Sequence, residues 1–145
     1  VILQRHNIKP QQIIFEITET VALIDINKAI TCLKSLQEQG FRISLDDFGT
    51  GYSSLSYLKN LPIDFLKIDK SFTSKVEEDS QDELMVETII DLGENFNLEI
   101  IAEGVETKGQ FIKLKQLGCD YFQGYYFNRP LTADKLIDEL TATHS

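Results

Sequence analysis

The chain has 145 residues, of which 42% are hydrophobic and 26% charged, and its formal net charge is −9. That length suffices for one domain with a real core, and the acidic balance argues against a general nucleic-acid surface, which needs a basic face, so no DNA or RNA binding is expected. No apolar run approaches the ~20 residues of a membrane span and no secretory leader pattern is visible, so this segment is expected to make no membrane contact.

The chain opens on Val1 without a methionine, in "VILQRHNIKP". That stretch reads as the tail of an earlier element running into a loop, and the chain is expected to be a piece of a longer protein. A first strand follows, "IIFEIT" from Ile13. Next, "DINKAITCLKSLQEQG" sets Ile26, Ala29, Ile30, Leu33 and Leu36 on one helical stripe, with Gly40 placed to cap its end. The second strand is "FRISLDD" from Phe41, and a short helix is expected over Ser53 to Asn60. Pro62 makes a turn before the third strand, "DFLKID" from Asp64. "SQDELMVETIIDLGENF" then has Ser80 and Glu83 at capping-box spacing, with Met85, Ile89, Leu92 and Phe96 at helical spacing. The fourth strand is "LEIIAEGV" from Leu98. Thr107 and Gln110 repeat the capping box in "TKGQFIKLKQLG", which ends at Gly118. The fifth strand is "DYFQGYYF" from Asp120, and a last helix, "TADKLIDEL", carries Leu136, Ile137 and Leu140. Cys32 and Cys119 stand far apart without metal-ligand spacing and read as buried, reduced thiols in a cytoplasmic compartment.

Strand and helix alternate five times, which predicts a parallel sheet of the α/β class. Side chains alternate across a strand, so each strand splits by parity. Ile17, Ile43, Leu45, Leu66, Ile68, Ile100, Ala102 and Phe122 fall on an apolar side suited to a helix layer. The opposite side collects Glu16, Asp46, Lys67, Glu103 and Gln123 near the carboxyl ends of the strands. In a (β/α) barrel that place is the catalytic face; in an open sheet it is the crevice at the strand ends.

Converging carboxylates with few cations imply a hard divalent metal, Mg²⁺, Mn²⁺ or Ca²⁺. His6 and His144 lie near the termini, outside every strand, which argues against a histidine-rich zinc site. Lys67 has four readings: neutralising a carboxylate, orienting a water, contacting a phosphate, or a structural ion pair with Asp69 or Asp46. Two carboxylates ~4 Å apart repel by roughly 4 kcal/mol at an effective dielectric of about 20, so the neighbours Asp46 and Asp47 need an offsetting partner. They cannot both point inward from a regular strand. A turn between them, permitted by "FGTG", would make Asp46 a strand ligand and Asp47 a loop ligand of a two-metal site. A phosphoacceptor receiver domain also has five βα units and an acidic pair, but its lysine ends the last strand, and "YFQGYYF" has none.

The segments "FEITET", "LDDFGTGYSSL", "LKIDKSF", "IIAEGVET" and "QGYYFNRP" together resemble the C-terminal part of the EAL domain, the bacterial cyclic di-GMP phosphodiesterase family. The resemblance implies a partial (β/α)8 TIM-like barrel of about five C-terminal βα units. It implies hydrolysis of cyclic di-GMP to linear pGpG with Mg²⁺ or Mn²⁺. By resemblance, Glu16 and Asp46 are metal ligands and Asp47 binds a second metal. Lys67 positions the attacking water, Glu103 is the general base, and Gln123 stands near water and substrate. Glu19 anchors the "DFGTG" loop, and Phe127 and Pro130 hold a guanine, with core packing the other reading of Phe127.

The Glu-Ala-Leu segment that names the family, and an asparagine ligand after it, are expected before Val1. A whole barrel is about 250 residues, so roughly 100 would precede this chain. The chain alone is then expected to be weak or inactive, and to self-associate through open sheet edges at Ile13–Thr18 and Tyr121–Gly124. A degenerate, non-catalytic receptor for cyclic di-GMP is the alternative function.

Overall fold

Short apolar strands alternating with amphipathic helices give one parallel sheet, described here from a computed structural model over residues 2–49 and 55–142. Its strands are β1 (Ile14–Thr18), β2 (Arg42–Phe48), β3 (Phe65–Ile68), β4 (Glu99–Glu103) and β5 (Tyr121–Gln123). They lie side by side in chain order, and every neighbouring pair is parallel. The helices are α1 (Ile2–Arg5), α2 (Glu19–Ile24), α3 (Ile26–Glu38), α4 (Leu55–Leu58), α5 (Lys70–Thr73), α6 (Ser80–Phe96), α7 (Lys108–Leu117) and α8 (Ala133–Ala142). Sequential parallel strands joined by helices form the arc of a barrel wall, so the fold is a partial (β/α)8 TIM-like barrel of five βα units.

Strand parity sorts the faces as expected. Ile43, Leu45, Leu66, Ile68, Ile100 and Ala102 are buried against Leu33 of α3, Val86, Ile89 and Ile90 of α6, and Leu114 of α7. The other face begins, at the strands' amino ends, with a polar and aromatic layer. Arg42 pairs with Glu99, its guanidinium lies 4.0 Å from the Phe65 ring centroid, and the Phe65 and Tyr121 rings meet edge-on at 5.7 Å. The Tyr121 hydroxyl, followed by Arg42, holds the Glu99 carboxyl below its ordinary range.

Several elements differ from the sequence reading. A helix, α2, directly follows β1, with the Thr18 side chain accepting from the Val21 amide. Asp79, not Ser80, caps α6 by accepting from the Gln81 amide. The buried stripe of α6 runs through Val86, Ile89, Ile90 and Gly93, and Met85 is exposed. Gly93 lets the Ile100 side chain come close, since a Cβ there would stand 2.3 Å from Ile100 Cδ1. The Thr107–Gln110 capping box is present on α7, and Gly118 ends that helix at φ +109.

Strand β5 stops at Gln123, and residues 124–127 turn. At Gly124 the chain passes so close to β4's continuation that a Cβ would lie 2.1 Å from the Val105 carbonyl oxygen. The Tyr126 amide then donates back to that same oxygen at 2.9 Å. Cys32 is exposed rather than buried, because it lies off the Leu33 stripe of α3; Cys119 is buried as expected. The Ser53 end of the expected short helix lies outside the described residues.

Candidate active site

Lys67 stands on the central strand, on the face opposite the helices, and is nearly inaccessible to solvent. Its Nζ lies 3.1 Å from Glu16 Oε1, 3.2 Å from Asp46 Oδ1 and 3.5 Å from Glu103 Oε2. One ammonium thus gathers carboxylates from β1, β2 and β4. Burial works against its charge, but hydrogen bonds to Glu16 and Asp46 outweigh it and hold the Lys67 pKa above its ordinary value. Of the two expected structural partners, Asp46 is used. Asp69 instead caps α5, accepting from the Ser71 amide at 2.8 Å.

The adjacent acids are arranged by a bulge. Strand β2 pairs with β3 at Leu45↔Leu66 and next at Phe48↔Ile68, so β2 carries one extra residue over that interval. Asp47 takes it up at φ +58, a left-handed conformation that Asp tolerates better than most residues. Its amide donates to Asp46 Oδ1 at 3.0 Å. The expected turn between the two acids is thus this bulge at Asp47, inside β2. Desolvation, with the charges of Asp46 and Asp69, pushes the Asp47 carboxyl up, while Lys67 pulls it down less.

Gln123 pairs in register with Glu103, and both line a small cleft with Lys70, Gly104, Glu106 and Tyr125. Glu19 is buried at the start of α2, where it accepts a hydrogen bond from the Tyr57 hydroxyl; its second oxygen, Oε2, has no partner among the described residues. Of the "DFGTG" loop it was expected to anchor, Thr50 and Gly51 lie outside the described residues. Phe127 is half exposed and packs edge-on against Phe111 of α7 at 5.6 Å and Tyr126 at 5.1 Å. Pro130 is exposed. The structure thus joins Glu16, Asp46, Lys67 and Glu103, brings Gln123 beside Glu103, and sets Phe127 against Phe111 of α7. The sequence reading passed over Thr73, whose buried hydroxyl donates to the Glu103 carbonyl. Its place four residues after the Asp69 cap carried no distinguishing signal in the sequence.

Carboxylate oxygens at strand ends suit a hard cation. Among the described residues, however, no group of three or more His, Cys, Asp or Glu side chains is placed to hold one. The donors present fit the chemistry of a divalent metal but need further ligands to complete its shell.

The family model for the EAL domain matches residues 1–130. This chain belongs to the EAL-domain family. It is 46% identical over 135 residues to the bifunctional diguanylate cyclase/cyclic di-GMP phosphodiesterase MucR of Pseudomonas aeruginosa, covering 93% of this chain and 20% of that protein. The cyclic di-GMP phosphodiesterase NbdA of the same organism is 42% identical over 127 residues, covering 88% and 16%. The solved MucR phosphodiesterase in complex with c-di-GMP superimposes with a TM-score of 0.86 at 46% identity, over 92% of this chain and 54% of that one. The chain thus spans about a fifth of the length of these curated EAL relatives.

Proposed function

We propose that this chain supplies the lysine-and-carboxylate wall of a divalent-metal-dependent phosphodiesterase that opens cyclic di-GMP to linear pGpG. The observation that carries the reading is the Lys67 ammonium within 3.5 Å of Glu16, Asp46 and Glu103 at the strand ends, in a chain of the EAL family. A Klebsiella pneumoniae relative of this fold, 31% identical over 88% of this chain with a TM-score of 0.81, is solved as a manganese/cy-diGMP complex. Mg²⁺ or Mn²⁺ is the proposed ion, held by Glu16 and Asp46, with Asp47 at a second position. When bound, such an ion polarises a phosphoryl oxygen and lowers the pKa of water.

The chain's own residues have separate tasks. Lys67 orients the attacking water and offsets the mutual repulsion of Glu16, Asp46 and Glu103. Glu103 takes the proton of that water. Gln123, next to Glu103 in register, bonds the water or the substrate phosphate. Glu19 anchors the "DFGTG" loop, and Phe127 and Pro130 hold a guanine. The missing metal donors, a glutamate of the Glu-Ala-Leu segment and an asparagine, belong to a part of the domain preceding this chain, in the cytoplasm. The chain by itself is then weak or inactive.

The test incubates the full-length protein and this chain separately with cyclic di-GMP and Mg²⁺ or Mn²⁺, and measures pGpG. Product from the full-length protein is expected, and Glu103→Gln there abolishes turnover while binding persists. Tight binding without product in the wild type would replace the enzyme reading with that of a receptor. Unchanged turnover in Glu103→Gln would remove Glu103 from the role of base.

A further inference from the structure

We infer that Thr73 is a positioning residue for Glu103, acting on the main chain of β4; its catalytic consequence rests on the general-base reading above. Thr73 is fully buried at the end of α5, and its Oγ1 donates to the Glu103 carbonyl oxygen, with the Lys70 carbonyl a longer contact at 3.3 Å. Three other helical threonines have side-chain bonds to carbonyls of their own helix. Thr31 donates to Asn27 at 2.9 Å, Thr88 to Leu84 at 2.7 Å and Thr141 to Ile137 at 3.0 Å, each four residues back. Thr73 instead takes its closer bond across to another element, at the last residue of a strand.

That point is where the chain must be held. Directly after Glu103, Gly104 turns at φ +71, and a Cβ there would lie 2.5 Å from Lys70 Cγ. The Lys70 stem therefore lies flat on Gly104, and its Nζ is tied to Glu106 Oε1 at 2.7 Å. Helix α5 thus grips three points of the segment: the Glu103 carbonyl, the face of Gly104 and the Glu106 carboxylate. Its own start is fixed by the Asp69 cap. A free peptide between Glu103 and Gly104 could rotate about a glycine and swing the Glu103 carboxylate from its place 3.5 Å from Lys67. A misplacement of ~1 Å at a reacting group can cost about 100-fold in rate.

The experiment uses the full-length protein and compares Thr73→Val, which keeps the shape but loses the hydroxyl, with Thr73→Ser, which keeps the hydroxyl. Thr73→Val is expected to lower kcat by about 10-fold or more with KM within about twofold, and Thr73→Ser to restore most of kcat although it loses a buried methyl. Equal impairment of both variants, or a wild-type kcat in Thr73→Val, would overturn the inference. Should Thr73→Val fail to fold, the wild-type protein still decides. Its Thr73 hydroxyl proton should exchange slowly enough to be seen by NMR, and rapid averaging with water would refute the bond. A wild type without pGpG production sinks the proposed function, whereas the hydroxyl measurement still judges the placement by itself.

Discussion

At the scale of single residues, Lys67 is the hinge of the site, because it is a buried group whose removal leaves several carboxylates facing one another. Asp46 is mostly covered, while Glu16 is half open to water. Thus Lys67→Met should cost less than a fully buried ion pair, about 1–3 kcal/mol in denaturant unfolding, together with loss of turnover. A variant as stable and as active as wild type would show that the carboxylates do not depend on the ammonium. Parity along five strands made this cluster legible in the sequence, because an apolar face forces polar residues to share the other. Thr73 was not legible, since a lone threonine in a short helix carries no pattern that distinguishes a bond to its own helix from one across elements. The cysteines were half legible, and they separate in chemistry. Burial, then the charge of Asp120, pushes the Cys119 thiol from 9.0 up to about 12, whereas Cys32 is exposed. The folded chain keeps Cys119 protonated where the unfolded chain would ionise it. Its contribution to stability is therefore complete below pH 9.0 and lost as the pH climbs towards 12. With a thiol reagent at pH 8, Cys32 should react at once and Cys119 only after denaturant is added. Two fast equivalents in the native protein would contradict that burial.

At the scale of elements, the bulge in β2 decides what two adjacent acids can do. A regular strand would send Asp46 and Asp47 to opposite faces; the extra residue and the left-handed Asp47 keep both within the field of Lys67. The sequence showed that a turn was needed between the two acids but not its form, because a bulge leaves no composition signal. The two tasks of Asp47, backbone and carboxylate, can be pulled apart. Asn also tolerates the left-handed conformation, so Asp47→Asn should fold like the wild type and lose turnover. Asp47→Ala should lose turnover and about 1 kcal/mol of stability as well. Equal stability of the two variants would place the strain elsewhere. Helix boundaries followed the same logic. The reciprocal cap of α7 was legible from Thr107 and Gln110, while on α6 the burial of Val86 and Ile90 turned the stripe away from Met85.

At the scale of the whole molecule, the sheet has two edges and much uncovered apolar surface. Strands β1 and β5 each pair on one side only. On β1 Ile14 and Phe15 are exposed, as are Val21 and Ile24 on α2, and Leu136, Ile137 and Leu140 on α8. The sequence reading named Leu136, Ile137 and Leu140 as the apolar positions of the last helix, yet periodicity cannot say whether the covering partner lies in the same stretch of chain. Unpaired strand edges flanked by apolar side chains favour addition of another strand, and apolar patches of this kind favour association. We predict that the 145-residue chain, expressed alone, self-associates with increasing concentration. Sedimentation velocity across a dilution series should show the mass falling on dilution. Adding charge to the β1 edge by Phe15→Lys should shift the species towards monomer more than the same change at Ile112, exposed on helix α7 and not on a strand. A monodisperse monomer at all concentrations would mean that the edges are shielded by the chain itself. Equal effects of the two substitutions would mean that association runs through general apolar contact and not through strand pairing.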